Sequence, residues 1–190
     1  MKKRTKKLKI GGIANQKIEL PIIEIGSGSP VVGISACLHG NEPEGLFIVR
    51  ELLKKLPEFA GTIKLLPGAN PQALIENARV NSFDNLDLNR SFPGDPKGTI
   101  TQRIANVIFE EFKNCDLVID IHTVTNVGEF MGMELNTEKK AHVTATERFN
   151  RLLNPQAIWR AVEGAKYANA LDEALLREGV LGVGVEVPRL

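Results

Sequence analysis

The chain has 190 residues, enough for one domain with a full hydrophobic core and too few for two of ordinary size. Apolar residues make up 43%, which excludes a disordered chain. The net charge is +1, but six positive charges (Lys2, Lys3, Arg4, Lys6, Lys7 and Lys9) crowd the start, and removing them leaves the rest at −5. A mildly acidic body with a basic tip is not the pattern of a nucleic-acid binder, whose positive charge lies on a folded face.

Residues 1–16 read as a basic, solvated and flexible start. They do not form a secretory signal, because Ile10 to Asn15 (IGGIAN) is too short and Gly-rich to be the apolar segment that must follow. No apolar run approaches the ~18–20 residues that cross a bilayer. Cys37 and Cys115 each sit in or beside an apolar run and are expected as buried free thiols in a reducing cytoplasm.

Lys17 to Ile25 alternates, with Ile18, Leu20 and Ile22 on one face, and predicts a half-buried strand that Pro21 moves towards an edge. After the turn cluster Gly26 to Pro30, Val31 to Leu38 is short and continuously apolar, as strands covered on both faces are. Pro43 suits a first helical position, and Leu46, Val49, Leu52, Leu53 and Leu56 then recur at helical spacing until Pro57. Thr62 to Leu66 is a strand, and Pro71 opens a helix through Ala78.

Arg79 to Gly98 has no regular period and is dense in Asn, Asp, Pro and Gly; a loop of that length in a compact domain is usually functional. Thr99 to Phe112 is a helix with Ile104, Val107, Ile108 and Phe112 in phase, and Asp116 to Ile121 is a buried strand ending at His122. Glu129 to Leu135 is expected as a strand, Glu138 to Leu153 as a helix, Ala157 to Val162 as a strand, Ala168 to Glu178 as a helix and Val180 to Val187 as a last strand. This alternation predicts an α/β fold with a mixed, mostly parallel central sheet flanked by helices on both faces.

In such sheets the ligand crevice lies beyond the carboxyl ends of the strands. His39 and His122 each fall at a strand's carboxyl end, and Glu186 lies near the end of the last strand. The pair His39 and Glu42 alone fits either a metal or an ordinary loop histidine beside a helix-capping acid. With His122, two imidazoles and a carboxylate form a ligand set used by catalytic zinc. Asp120 fits either an outer partner of His122 or a structural hydrogen bond. Arg79, Asn89 and Arg90 offer donors for a carboxylate, or else pin their own loop. Glu186 on an apolar strand needs a function or a salt bridge. His142, in a polar helical stretch, reads as a surface residue, as does Arg177; the single tyrosine, Tyr167, is given no role.

Together HGNE (His39 to Glu42), Asn70-Pro71, Arg79, DLNRSFPG (Asp87 to Gly94), DIHT (Asp120 to Thr123) and GVEV (Gly184 to Val187) resemble the succinylglutamate desuccinylase/aspartoacylase family, a branch of the zinc carboxypeptidase-like fold. The likeness runs in order from about Val31 to the end. It implies one zinc ion held by His39, Glu42 and His122. It implies Glu186 as general acid/base and Arg79 as the group polarising the scissile carbonyl. It implies Asn89 and Arg90 as the pair gripping a substrate carboxylate.

The expected activity is cleavage of the amide bond of an N-acyl amino acid or similar small carboxylate-bearing substrate, with no nucleic-acid or membrane partner. The alternatives are a metallocarboxypeptidase acting on peptide C-termini and a metal- or small-molecule-binding module without turnover. The family usually continues past the catalytic Glu into a further helix and a β-rich domain, whereas only Val187 to Leu190 follow here. The expectation is therefore one catalytic domain over 1–190 that lacks that C-terminal β-rich domain.

Overall fold

The computed structural model describes residues 2–13, 16–124, 128–162 and 169–189. Among these, eight strands form one sheet: β1 (Lys3–Ile13), β2 (Gln16–Ser27), β3 (Val31–Ala36), β4 (Gly61–Leu66), β5 (Leu117–Val124), β6 (Met131–Asn136), β7 (Ala157–Val162) and β8 (Leu181–Pro188). The helices are α1 (Glu44–Lys55), α2 (Pro71–Ile75), α3 (Ile100–Phe112), α4 (Lys140–Leu153) and α5 (Leu171–Arg177), with a 3-10 turn at Leu88–Arg90 in the long loop.

The strand order is β1-β2-β4-β3-β5-β8-β6-β7. Its centre, β4-β3-β5-β8, is parallel throughout, while β1–β2, β2–β4 and β8–β6 are antiparallel and β6–β7 is parallel. The continuous apolar runs became the central strands because helices cover both of their faces. One face packs on α3 and α5 through Val118, Ile104, Ile108, Phe112, Leu171 and Leu175. The other packs on α1 and α4 through Ile34, Ile121, Val49, Leu53 and Phe149. α3 is set by its sequence: Thr99 and Gln102 form a reciprocal capping box, and the apolar stripe follows in phase.

Three expectations change. The basic start is a strand and not a frayed tip: β1 pairs with β2 along its length and buries Leu8 and Ile10 against α3. On the same face Lys6 reaches Glu111 of α3 at 2.7 Å, and Lys64 meets the same carboxylate at 2.7 Å. Because β1 flanks β2, Pro21 is not on an outermost strand; β4 pairs Ile23 to Ser27, so among the described residues the Pro21 stretch has β1 as its one neighbour in the sheet. His142 is buried, not on the surface, because α4 presents a polar stripe of His142, Thr146 and Asn150 to the sheet, where Asn150 Nδ2 donates to the Met133 carbonyl at 3.2 Å. Both cysteines are buried and free, as expected. The helix foreseen from 168 begins, among the described residues, at Leu171, and Tyr167 lies outside them. Among the described residues no helix is long and apolar enough to cross a membrane.

Candidate metal centre and active site

β3 delivers the first two candidate ligands. Cys37 adopts a left-handed conformation (φ 60) that turns the chain out of the sheet. Asn70, fully buried, braces the emerging loop: its N–H donates to the Cys37 carbonyl (3.1 Å) and its Nδ2 to the Leu38 carbonyl (3.3 Å). Gly40 is required by close approach, since a Cβ there would lie 1.9 Å from the carbonyl carbon of Ala73 in α2. His39 and Glu42 are thus wedged between β3, α2 and the start of α1. β5 supplies His122 on the sheet face that also carries Asp120 and, through the pairing His122–Glu186, the β8 carboxylate.

The three residues converge. Glu42 Oε1 lies 2.8 Å from His39 Nδ1, and Oε2 lies 3.0 Å from His122 Nδ1. The Thr123 N–H donates to Oε2 at 3.1 Å. One ligand atom from each of His39, Glu42 and His122 falls within 4.8 Å of the others, and all three residues are buried.

The outer imidazole nitrogens are also held by carboxylates. His39 Nε2 contacts Asp87 Oδ1 at 3.1 Å, and His122 Nε2 contacts Asp120 Oδ2 at 2.7 Å. Each ring therefore turns Nδ1 inward and donates outward from Nε2, the carboxylate–histidine arrangement that orients metal ligands. The donor set fits a divalent cation, with Asp120 acting as the outer partner of His122.

The charges reinforce one another. Burial opposes protonation of His122, yet Asp120 and Glu42 outweigh it and hold the imidazole well above its ordinary 6.5. Burial likewise works against His39, and its hydrogen bonds to Asp87 and Glu42 raise it. For Glu42 burial favours the neutral acid, but His122 and His39 hold it below the ordinary carboxylate range. Asp87 is brought down to about 2 against its burial, by His39, Arg79 and Arg90. Glu186 moves upward, chiefly through burial, with Glu42 and Asp120 adding to the effect and His122 opposing it.

All the sequence-derived candidates line one cavity of about 410 Å³: His39, Glu42, His122, Arg79, Asn89, Arg90 and Glu186. Arg79 Nη2 donates to Asp87 Oδ2 at 3.0 Å, and its Nη1 stands 3.6 Å from Glu42 Oε1. Asn89 is largely committed within the protein, since its Oδ1 accepts from the Leu171 N–H (2.9 Å) and its Nδ2 lies 3.3 Å from His122 Nε2. Arg90 Nη1 donates to the Asn89 carbonyl at 2.5 Å. Among the described residues Glu186 Oε2 is buried without a hydrogen-bond partner. Arg177 stays outside, near Glu173 of its own helix (4.0 Å).

Two acidic residues at the site were not foreseen. Asp87 joins His39 to Arg79; the signal was available, since each ligating imidazole needs an outer partner and Asp87 opens the DLNR motif. Asp172, from the first turn of α5, lines the cavity with no such signal in the sequence.

A family model for the succinylglutamate desuccinylase/aspartoacylase catalytic domain matches residues 29–187. A curated N-alpha-acetyl-L-2,4-diaminobutyric acid deacetylase from Halomonas elongata is 31% identical over 109 residues, covering 56% of this chain and 32% of that protein. An aspartoacylase family protein from Mesorhizobium loti superposes with a TM-score of 0.86 at 25% identity, over 98% of this chain and 61% of that one. A metallo-carboxypeptidase from Burkholderia cenocepacia superposes with a TM-score of 0.75 at 15% identity, over 97% of this chain and 55% of that one, and is similar in fold alone. The fold is carboxypeptidase-like. The chain spans well under two thirds of the length of the curated relative it matches.

Proposed function

This chain belongs to the succinylglutamate desuccinylase/aspartoacylase family, and from that premise we propose that it is a zinc-dependent hydrolase of the amide bond of an N-acyl amino acid or a similar small, carboxylate-bearing substrate. The observation that carries this reading is the buried His39–Glu42–His122 cluster sharing one cavity with Glu186 and two arginines. The two-imidazole, one-carboxylate set favours zinc among divalent ions.

When bound, the ion supplies Lewis acidity to water and to the amide carbonyl. His39, Glu42 and His122 hold it. Asp87 and Asp120 fix the two rings so that each Nδ1 presents its lone pair inward. Glu186 accepts a proton from the attacking water and returns it to the leaving amine nitrogen, and its raised pKa suits a group that must carry that proton between steps. Arg79, tethered by Asp87, stabilises the negative charge that develops on the carbonyl oxygen. Arg90 offers its planar fork to the substrate carboxylate, with Asn89 setting its position. The products are a carboxylate and an amine.

The test is zinc analysis of the purified protein together with hydrolysis of a panel of N-acetyl and N-succinyl amino acids. Wild type is expected to carry zinc and hydrolyse members of the panel. His122→Ala is expected to lose the metal. Glu186→Gln is expected to keep it while turnover falls roughly 10²–10⁴-fold. A folded, metal-free wild type that does not take up zinc overturns the reading, as does undiminished hydrolysis by Glu186→Gln. Release of C-terminal residues from peptides, with no action on acyl-amino acids, moves the assignment to a carboxypeptidase.

A further inference from the structure

Asp172 lines the cavity but has no part in the chemistry above. Its Oδ1 accepts the Glu173 N–H at 3.0 Å, and among the described residues no Lys or Arg forms an ion pair with it.

Its position follows from strand register. His122 pairs with Glu186, Asp120 with Gly184 and Val118 with Gly182, so these three rungs descend one face of β5 and β8. A Cβ on Gly182 would lie 2.7 Å from the Asp172 Cα, so α5 sits directly on that lowest rung. At side-chain level the two ends are nearer than the rungs, since the Asn89 amide accepts the Leu171 N–H and stands 3.3 Å from His122 Nε2, so Asp172 faces the cavity close beside the candidate metal cluster. Met133, Trp159 and Ala161 of β6 and β7, with Ala170, give the cavity an apolar side, and Asp120 lines it on the Gly184 rung. Arg79 and Arg90 enter it from the long loop.

A wall of this kind accepts an aliphatic stem. A carboxylate beside it rewards a positive charge at the stem's end and repels a negative one. We propose that Asp172 is a specificity-determining residue that selects N-acyl amino acids bearing a protonated amine on the side chain and disfavours acidic side chains. The inference rests on the hydrolase reading for its turnover consequence, and on the cavity alone for its binding consequence. Burial, with the charge of Asp120 adding to it, pushes the Asp172 carboxyl up to about 6, a shift that a neighbouring ammonium group reverses.

The test compares kcat/KM for Nα-acetyl diamino acids of increasing side-chain length with that for Nα-acetyl-norleucine and Nα-acetyl-aspartate, in wild type, Asp172→Asn and Asp172→Ser. Binding of the corresponding free amino acids is measured in parallel by calorimetry, on zinc-loaded and on metal-free protein. Wild type is expected to prefer at least one diamino substrate over norleucine by on the order of tenfold or more, the scale of one charge-assisted contact, and Asp172→Asn to lose most of that ratio. A wild type that prefers the acidic substrate overturns the inference. So does a folded Asp172→Asn or Asp172→Ser variant with the wild-type ratio, which would leave Asp172 as a helix-terminal acid. If no amide is hydrolysed but free diamino acids bind through Asp172, the hydrolase reading fails and the inference stands. If amides are hydrolysed with no cation preference, the inference fails alone.

Discussion

Asp87→Asn is the sharpest test of how the centre is held together. The aspartate accepts three hydrogen bonds: from His39 Nε2 (3.1 Å) and the Asn89 N–H (2.9 Å) on Oδ1, and from Arg79 Nη2 (3.0 Å) on Oδ2. An asparagine has the same shape but one acceptor oxygen. That oxygen must face the two donors on the first side, which turns the NH₂ towards Arg79 as donor against donor. His39 keeps a hydrogen bond but loses the charge behind it. Hydrogen bonds to charged groups contribute about 1.5–3 kcal/mol and neutral ones about 0.5–1.5 kcal/mol, so the hold on His39 weakens by roughly 1–1.5 kcal/mol. That corresponds to about a tenfold loss of zinc affinity, the low end of the 10–100-fold expected for an outer-partner change.

Arg79 is half-exposed, so its ion pair adds about 1 kcal/mol or less to stability. Its position matters more, since a misplacement of ~1 Å can cost ~10²-fold in rate. The expected outcome is therefore split: zinc affinity falls about tenfold, and kcat/KM falls about 10²-fold even at saturating zinc. Competition with a chromophoric chelator gives the first number and steady-state kinetics at saturating zinc the second. Zinc affinity and kcat/KM both equal to wild type would refute the bracing role. A turnover loss that saturating zinc restored would refute the separate effect on Arg79.

Other outcomes follow from the same geometry. Gly40→Ala places a Cβ 1.9–2.3 Å from backbone atoms of Ala73 and Leu74, so α2 or the ligand loop must shift. The expected cost is about 1–3 kcal/mol with weakened zinc binding, and a melting temperature equal to wild type would refute the close approach. Zinc uptake near neutral pH is expected to release protons and to weaken as pH falls, because both ligand imidazoles are held above their ordinary 6.5 and must be neutral to bind. Calorimetry in two buffers of different ionisation enthalpy reads this, and equal heats would exclude it.

Glu111→Gln is expected to destabilise the fold by roughly 1–2 kcal/mol at neutral pH. Burial favours the neutral acid at Glu111, but Lys6 and Lys64 together hold the folded carboxyl below its ordinary 4.5. The stabilisation is thus complete above that ordinary value and is lost as pH falls through the lower folded one. Urea unfolding of both proteins at decreasing pH should show the gap closing, and a gap independent of pH would refute the assignment.

The central strands were legible because each is a short apolar run bounded by turn residues, and α1 and α3 because their stripes keep helical phase. β1 was not legible, for a reason visible in its inner face. Lys6, Leu8 and Ile10 share that face, and the charge at Lys6 looks solvated until Glu111 arrives from 105 residues later in the chain. The reading of His142 fails for a related reason: it shares the polar stripe of α4 with Asn150, which donates to the Met133 carbonyl of β6, so that stripe lies on the sheet and not in solvent. For Lys6 the partner lies far along the chain, while for the α4 stripe it is a carbonyl of the strand just before the helix, and neither shows in the local pattern.

The same limit separates the legible part of the site from the rest. His39, Glu42, His122 and Glu186 could be read because strand ends in an α/β sheet face one crevice, so position alone implied convergence. The DLNR stretch was read as a substrate grip, and its geometry says more. Asp87 holds the outer nitrogen of His39, and the Asn89 amide stands 3.3 Å from that of His122, so one 3-10 turn and its cap reach both candidate ligand rings from outside. Asn89 also accepts the N–H of Leu171, the residue before Asp172. The same amide thereby fixes the helix end that carries Asp172. A substitution at Asn89 should accordingly disturb metal affinity and side-chain selectivity together, whereas one at Arg90 should act on the substrate carboxylate and leave zinc in place.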